Sequence, residues 1–109
     1  MEFLKNLPQD PMALKDMIEI RPGRVVSMSL SKSEHVSMLL MSVADDEEVT
    51  SEQYPGDLIY YVLEGSMPLQ RENGTCVLRE GELVAIPANE PHSIGGAGAF
   101  KLLQIIVTG

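Results

Sequence analysis

From Arg24 onward the chain alternates apolar and polar positions with a period of two, which is the mark of a half-buried strand. Over residues 25–30, Val26, Met28 and Leu30 fall on one face and the serines on the other. A polar turn at 31–34 leads to a second strand at 36–43, and Asp45-Asp46-Glu47-Glu48 follows as a solvated acidic loop, because closely packed like charges resist burial. Residues 59–63 (Ile-Tyr-Tyr-Val-Leu) form a β-rich run that stops at Glu64-Gly65. Asn73-Gly74 predicts a hairpin turn joining 67–71 to 75–78, since both residue types tolerate positive φ. Arg79-Glu80-Gly81 is a further turn, residues 83–86 make a strand stopped by Pro87, residues 95–98 make a glycine-rich loop, and residues 100–107 supply the last strand.

No helical period is sustained after residue 24. About eight short strands with frequent turns predict an all-β barrel or sandwich over 25–109. Ahead of it, residues 1–24 read as an arm. Pro8 and Pro11 break any long helix, while Met12, Leu14, Met17 and Ile18 suit one or two short amphipathic turns packed on the body or on a partner subunit.

Composition narrows the class. The 109 residues are 44% apolar, enough for one domain with a single core and too many for disorder. No apolar run approaches the ~20 residues of a membrane-spanning helix. The charge of −8 is carried wholly by residues 25–109, where four basic residues face twelve acidic ones. With no basic stripe, nucleic acid and anionic membrane surfaces are not expected partners. The single Cys76 can form neither an internal disulfide nor a zinc site; it reads as a small buried apolar residue. The start, Met1-Glu2-Phe3-Leu4-Lys5, lacks the apolar segment of a signal peptide, so a cytoplasmic location is expected.

Two segments carry a family resemblance. Gly56-Asp-Leu-Ile-Tyr-Tyr-Val-Leu-Glu-Gly65 resembles the end of the first cupin motif, and Gly81-Glu-Leu-Val-Ala-Ile-Pro-Ala-Asn-Glu-Pro-His92 resembles the second. The short hairpin-containing gap between them fits a compact single-domain cupin. The resemblance implies a double-stranded β-helix, or jelly-roll barrel. It further implies that Gly65 and Gly81 sit at strand-to-turn corners where a side chain would clash.

The family's metal motif is degraded in this chain. Counting back from Gly65, Leu58 takes the place of the usual Glu, and Tyr54 and Glu52 take the places of the two His. Of the four usual ligands only His92 survives; Asn89 stands where Gly is usual and Gly96 where Asn is usual. Positions 52, 54, 58, 60 and 62 share parity, so an unbroken strand would turn them all into the barrel; Pro55-Gly56 could spoil that register. The expected ligand-binding residues are Glu52, Tyr54, Asp57, Tyr60 and His92, with Asp57 either a turn residue or a rim contact. Glu90-Pro91 sets the loop that aims the imidazole inward.

These residues leave three functions open. The first is a binding protein in which Glu52, His92 and the Tyr54 phenol hold a sugar, amide or carboxylic acid. The second is an isomerase or dioxygenase in which His92 and Glu52 hold a divalent transition metal, although two protein ligands are few and Tyr54 is a poor ligand near neutrality. The third is an interaction module whose barrel is packed shut by Met, Leu58 and Tyr60. The seven methionines suit Cu(I) chemically but serve more simply as core filler. His35 is too weakly placed to recruit. Strands 36–43 and 100–107 are apolar on both faces in places, which predicts a homodimer covering the outer face, with residues 1–22 taking part.

Overall fold

In the computed structural model, which describes residues 5–109, the alternating segments form eight strands. They are β1 (Val25–Lys32), β2 (Val36–Val43), β3 (Glu48–Glu52), β4 (Asp57–Arg71), β5 (Gly74–Arg79), β6 (Leu83–Ile86), β7 (His92–Gly95) and β8 (Phe100–Val107). Every pairing is antiparallel. Along one face of the barrel β1, β2, β8, the first half of β4 and β6 lie side by side. On the other lie β5, the second half of β4, β7 and β3. The result is the expected all-β jelly roll. Among the described residues no helix is long and apolar enough to cross a membrane.

Strand β4 serves both sheets, and it does so by changing parity. Leu58, Tyr60 and Val62 point into the barrel in its first half; Met67 and Leu69 do so in its second. The switch comes at an irregularity between Val62 and Glu64 in the pairing with β8, followed by Gly65 at φ +78°. A Cβ on Gly65 would lie 2.5 Å from the Ala99 carbonyl oxygen, so glycine is needed for both space and conformation. Gly81 differs from expectation. Nothing lies within 4 Å of a Cβ there, and only its φ of +84° calls for glycine.

Three other expectations change. Residues 52 and 54 do not continue into β4: β3 ends at Glu52 and pairs with β7, and residues 53–56 carry the chain across to the opposite sheet. Parity therefore carries no information across Pro55-Gly56. The hairpin turn is Glu72-Asn73, one residue earlier than the Asn-Gly reading, because Arg71 pairs with Gly74 and only Gly74 takes positive φ. Cys76 is exposed, since β5 pairs only with β4 at the rim.

The core is double. Inside the barrel, Leu58, Val62, Met67, Leu69, Phe100 and Leu102 are fully buried, each worth roughly 1.5–3 kcal/mol of transfer free energy. A second cluster lies on the outer face, where Ile18 of the arm packs on Leu30 and Leu40, flanked by Leu7, Leu14 and Met17. The arm makes one 3-10 turn at Leu14–Met17. Its backbone is tied down by Asn6 N–H to the Leu30 carbonyl (2.9 Å), the Ser42 hydroxyl to the Glu19 carbonyl (2.7 Å) and Lys101 Nζ to the Lys15 carbonyl (2.7 Å). Met28 and Met38 pack in the outer cluster and Met41 and Met67 in the inner one, which is the filler role.

Candidate functional site

Polar side chains gather at one place in an otherwise apolar interior. Tyr60 comes from the inward face of β4, and Gln104 is its register partner on β8. His92 opens β7 between Glu52 of β3 and Arg71 of β4, pairing with both. Tyr60, His92 and Gln104 are buried, while Glu52 and Tyr54 are half-buried above them. Four of the five expected ligand-binding residues, Glu52, Tyr54, Tyr60 and His92, therefore converge although the strand meant to carry them is broken. The fifth, Asp57, does not join them. It is exposed, and its Oδ1 accepts the Ala88 N–H at 3.0 Å, which ties the start of β4 to the loop after β6.

His92 is held at both nitrogens. Its Nδ1 lies 3.0 Å from the Glu90 carbonyl oxygen, which can only accept, so Nδ1 carries a proton. Its Nε2 lies 2.8 Å from the Tyr60 hydroxyl, which donates to it when the imidazole is neutral. The Tyr60 and His92 rings meet edge to face, with centroids 5.6 Å apart. The loop ahead of His92 is braced in turn. Glu90 forms a two-point ion pair with Arg71, at 2.6 Å to Nε and 3.0 Å to Nη2. That pairing lowers the Glu90 pKa and raises that of Arg71. Asn89 takes φ +66°, which Asn tolerates where Gly is usual in the family, and its N–H reaches the Tyr54 carbonyl at 2.7 Å.

Above His92, the Tyr54 hydroxyl donates to Glu52 Oε1. Burial foremost, and then the bond and charge of Glu52, push the Tyr54 pKa well above the ordinary phenol value. The nearby Gln104 amide opposes that rise. Tyr60 is raised as well, by burial first and then by its proximity to Tyr54 and Glu52. Both phenols are neutral donors near pH 7. Gln104 escaped the reading of the sequence, although its signal is there. It is the polar residue in the inward series Phe100, Leu102, Gln104, Ile106 of the last strand.

This donor set does not fit a tight divalent-metal site. Among the described residues no three His, Cys, Asp or Glu side chains converge on one point. Leu58 offers an alkyl group where the fold family has a carboxylate, and His92 Nε2 is already engaged by Tyr60. His35 lies exposed beside Glu34, 3.9 Å away, and adds nothing to the site.

Comparisons with known proteins give the lineage. The profile of the cupin domain matches residues 39–106. A cupin superfamily protein from Desulfitobacterium hafniense DCB-2 is 38% identical and superposes with a TM-score of 0.91, over 97% of this chain and 98% of its own. A conserved protein of unknown function from Streptococcus pyogenes superposes at 0.92 with 22% identity, over 100% of this chain and 96% of its own. The DMSP lyase DddQ from Ruegeria pomeroyi shares the fold at 0.72 with 19% identity, over 78% of this chain and 47% of its own. No protein of curated function matches the chain. With the domain profile spanning both motif segments, and a relative of this identity aligned almost end to end, the chain belongs to the cupin superfamily.

Proposed function

We propose that this cupin binds a small polar molecule in its barrel, held by Glu52, Tyr54, Tyr60, His92 and Gln104 without a tightly bound metal. The observation that carries this reading is the braced polar cluster. Burying hydroxyl, imidazole and amide groups in an apolar barrel costs stability that Leu or Phe would not, and such groups are tolerated only when hydrogen-bonded. Here the Arg71–Glu90 pair, the Glu90 carbonyl and the Asn89 turn hold the imidazole in one orientation. Rigid support of this kind suits a pre-organised recognition site. A thermal-shift screen of small polar molecules against the wild type and Glu52→Gln tests it. Hits that raise the wild-type midpoint and lose most of that effect in Glu52→Gln are expected. Equal shifts in both proteins would remove Glu52 from the site, and no hits at all would count against binding.

One observation favours the enzyme reading: Glu52 and His92 face each other in register, as two ligands of one ion would. Elemental analysis of protein purified without a metal-binding tag separates the two readings. The binding reading expects far less than one transition metal per chain, persisting after incubation with excess divalent ions. Near-stoichiometric metal would put the enzyme first.

A further inference from the structure

Gln104 is 2% exposed, and among the described residues its Oε1 has no hydrogen-bond partner. The orientation of this amide follows from its neighbours. A carboxylate only accepts, so the Tyr54 hydroxyl gives its proton to Glu52. The Tyr54 oxygen is then free only to accept, so of the two ends of the Gln104 amide it is the NH2, not Oε1, that can serve it, in keeping with the lowering effect of Gln104 on the Tyr54 pKa. With its nitrogen turned to Tyr54, the amide directs Oε1 elsewhere in the barrel as a bare acceptor. Leaving a buried acceptor unmatched costs stability, whereas an apolar side chain of the same shape would not.

The rest of the site has the same sense. The Tyr54 proton goes to Glu52, the Tyr60 proton to His92 Nε2 when the imidazole is neutral, and the His92 Nδ1 proton to the Glu90 carbonyl. The nearby Arg71 guanidinium is matched by Glu90. What remains toward a ligand is mainly acceptor capacity: Gln104 Oε1 and the Glu52 carboxylate, against one spare N–H of the same amide. Residues 25–109 also carry the whole net charge of −8.

We propose that the barrel takes its ligand through an N–H or O–H group delivered to Gln104 Oε1, which makes the ligand a neutral or cationic donor-bearing molecule and disfavours carboxylates and phosphates. This rests on the binding reading above and names its ligand class.

Four fragments of one size test it on the 15N-labelled full chain by NMR titration: propionamide and 1,2-propanediol carry donors, N,N-dimethylformamide carries none, and propionate is an anion. Fragments this small bind weakly, so titration runs to about 100 mM. The two donor-bearing fragments are expected to shift the Gln104 side-chain amide resonances, with affinities about tenfold above the other two. Gln104→Met, followed at the backbone amides of Tyr60 and His92, is expected to erase that preference. Equal or stronger binding of propionate or the dimethylamide at the same resonances would overturn the ligand class and leave barrel binding standing. Retention of the preference in Gln104→Met would overturn the role of Gln104. Silence from all four at those resonances would overturn both the ligand class and the binding reading. The wild-type series decides the ligand class even if the variant does not fold.

Discussion

The Tyr60 hydroxyl and His92 Nε2 lie 2.8 Å apart inside the barrel, joining the two sheets through one side-chain hydrogen bond. Each group is buried and each would be unmatched without the other. Tyr60→Phe should therefore lower unfolding free energy by about 1–3 kcal/mol, the cost of an orphaned buried partner. Replacing both partners, as Tyr60→Phe with His92→Leu, should cost less than the sum of the singles. Urea unfolding of the four proteins measures the coupling. Strict additivity would mean that the two groups do not depend on each other.

The acid side of the stability profile belongs to Arg71–Glu90. The ion pair lowers the folded-state pKa of Glu90, so its contribution is present above the unfolded carboxylate value of about 4.3 and is lost as pH falls through the lower folded value. Wild type should be more stable than Glu90→Gln from neutrality down to roughly pH 5, and the gap should close on further acidification. Urea midpoints for the two proteins across this range check it; a gap that persists unchanged at the acid end would assign the stabilisation to something other than the charge on Glu90.

On the alkaline side the sign reverses. Tyr54 and Tyr60 have folded-state pKa values raised above the ordinary phenol value, so folding binds their protons more tightly than the unfolded chain does. Their contribution is complete below about pH 10 and is lost as pH rises above it. Wild type should lose stability above that pH faster than Tyr54→Phe, whose half-buried ring has no proton to release. Parallel alkaline unfolding curves for the two proteins would contradict this.

Much of the fold was legible because jelly-roll strands alternate: the alternation is clean in β1 from Val25 to Leu30 and in the first half of β4, while β2 and β8 are apolar on both faces in places. It failed where a strand changes sheets or a segment is strongly charged. Glu48 begins β3 although it ends a run of four acidic residues, since β7 needs an edge partner whatever the local charge. Four of the five residues of the candidate site were readable: Glu52 and Tyr54 as departures from the family motif, His92 as its surviving ligand, and Tyr60 on the inward parity of its own strand. Gln104 was not, because it lies outside both motifs and reaches the site only through its pairing with Tyr60 across β4 and β8.

The two motif glycines invite a direct comparison. Gly65 combines φ +78° with a 2.5 Å approach to the Ala99 carbonyl, whereas Gly81 has φ +84° and open space around it. Gly81→Ala should cost about 1–2 kcal/mol, the conformational penalty alone. Gly65→Ala adds a backbone collision at the point where β4 changes sheets, and should cost more than Gly81→Ala by at least about 2 kcal/mol. Denaturation midpoints with equal slopes test the ranking. Similar losses at both sites would mean that the Gly65 corner opens easily.

The outer face of the larger sheet is apolar in continuous rows. Leu40, Leu103, Tyr61 and Leu83 are successive register partners across four strands, and Met38, Ile105, Ile59 and Ala85 form the next row. The arm covers the end near Leu40, Leu103 and Met38 and leaves the rest. Leu83 remains 61% exposed, Val107 42% and Tyr61 37%. One such patch on each of two chains is self-complementary under a two-fold axis, and a stable interface needs about 800 Å² from each partner. The expected outcome is a homodimer through Tyr61, Leu83, Ile59 and Val107. Sedimentation at micromolar concentration should then return twice the chain mass, and Leu83→Glu should return the single mass with unchanged circular dichroism. Since Leu83 is the most exposed of the three and touches no part of the barrel site, its substitution separates assembly from folding. A wild-type monomer would leave the sheet face without this role, and a Leu83→Glu dimer would move the interface elsewhere.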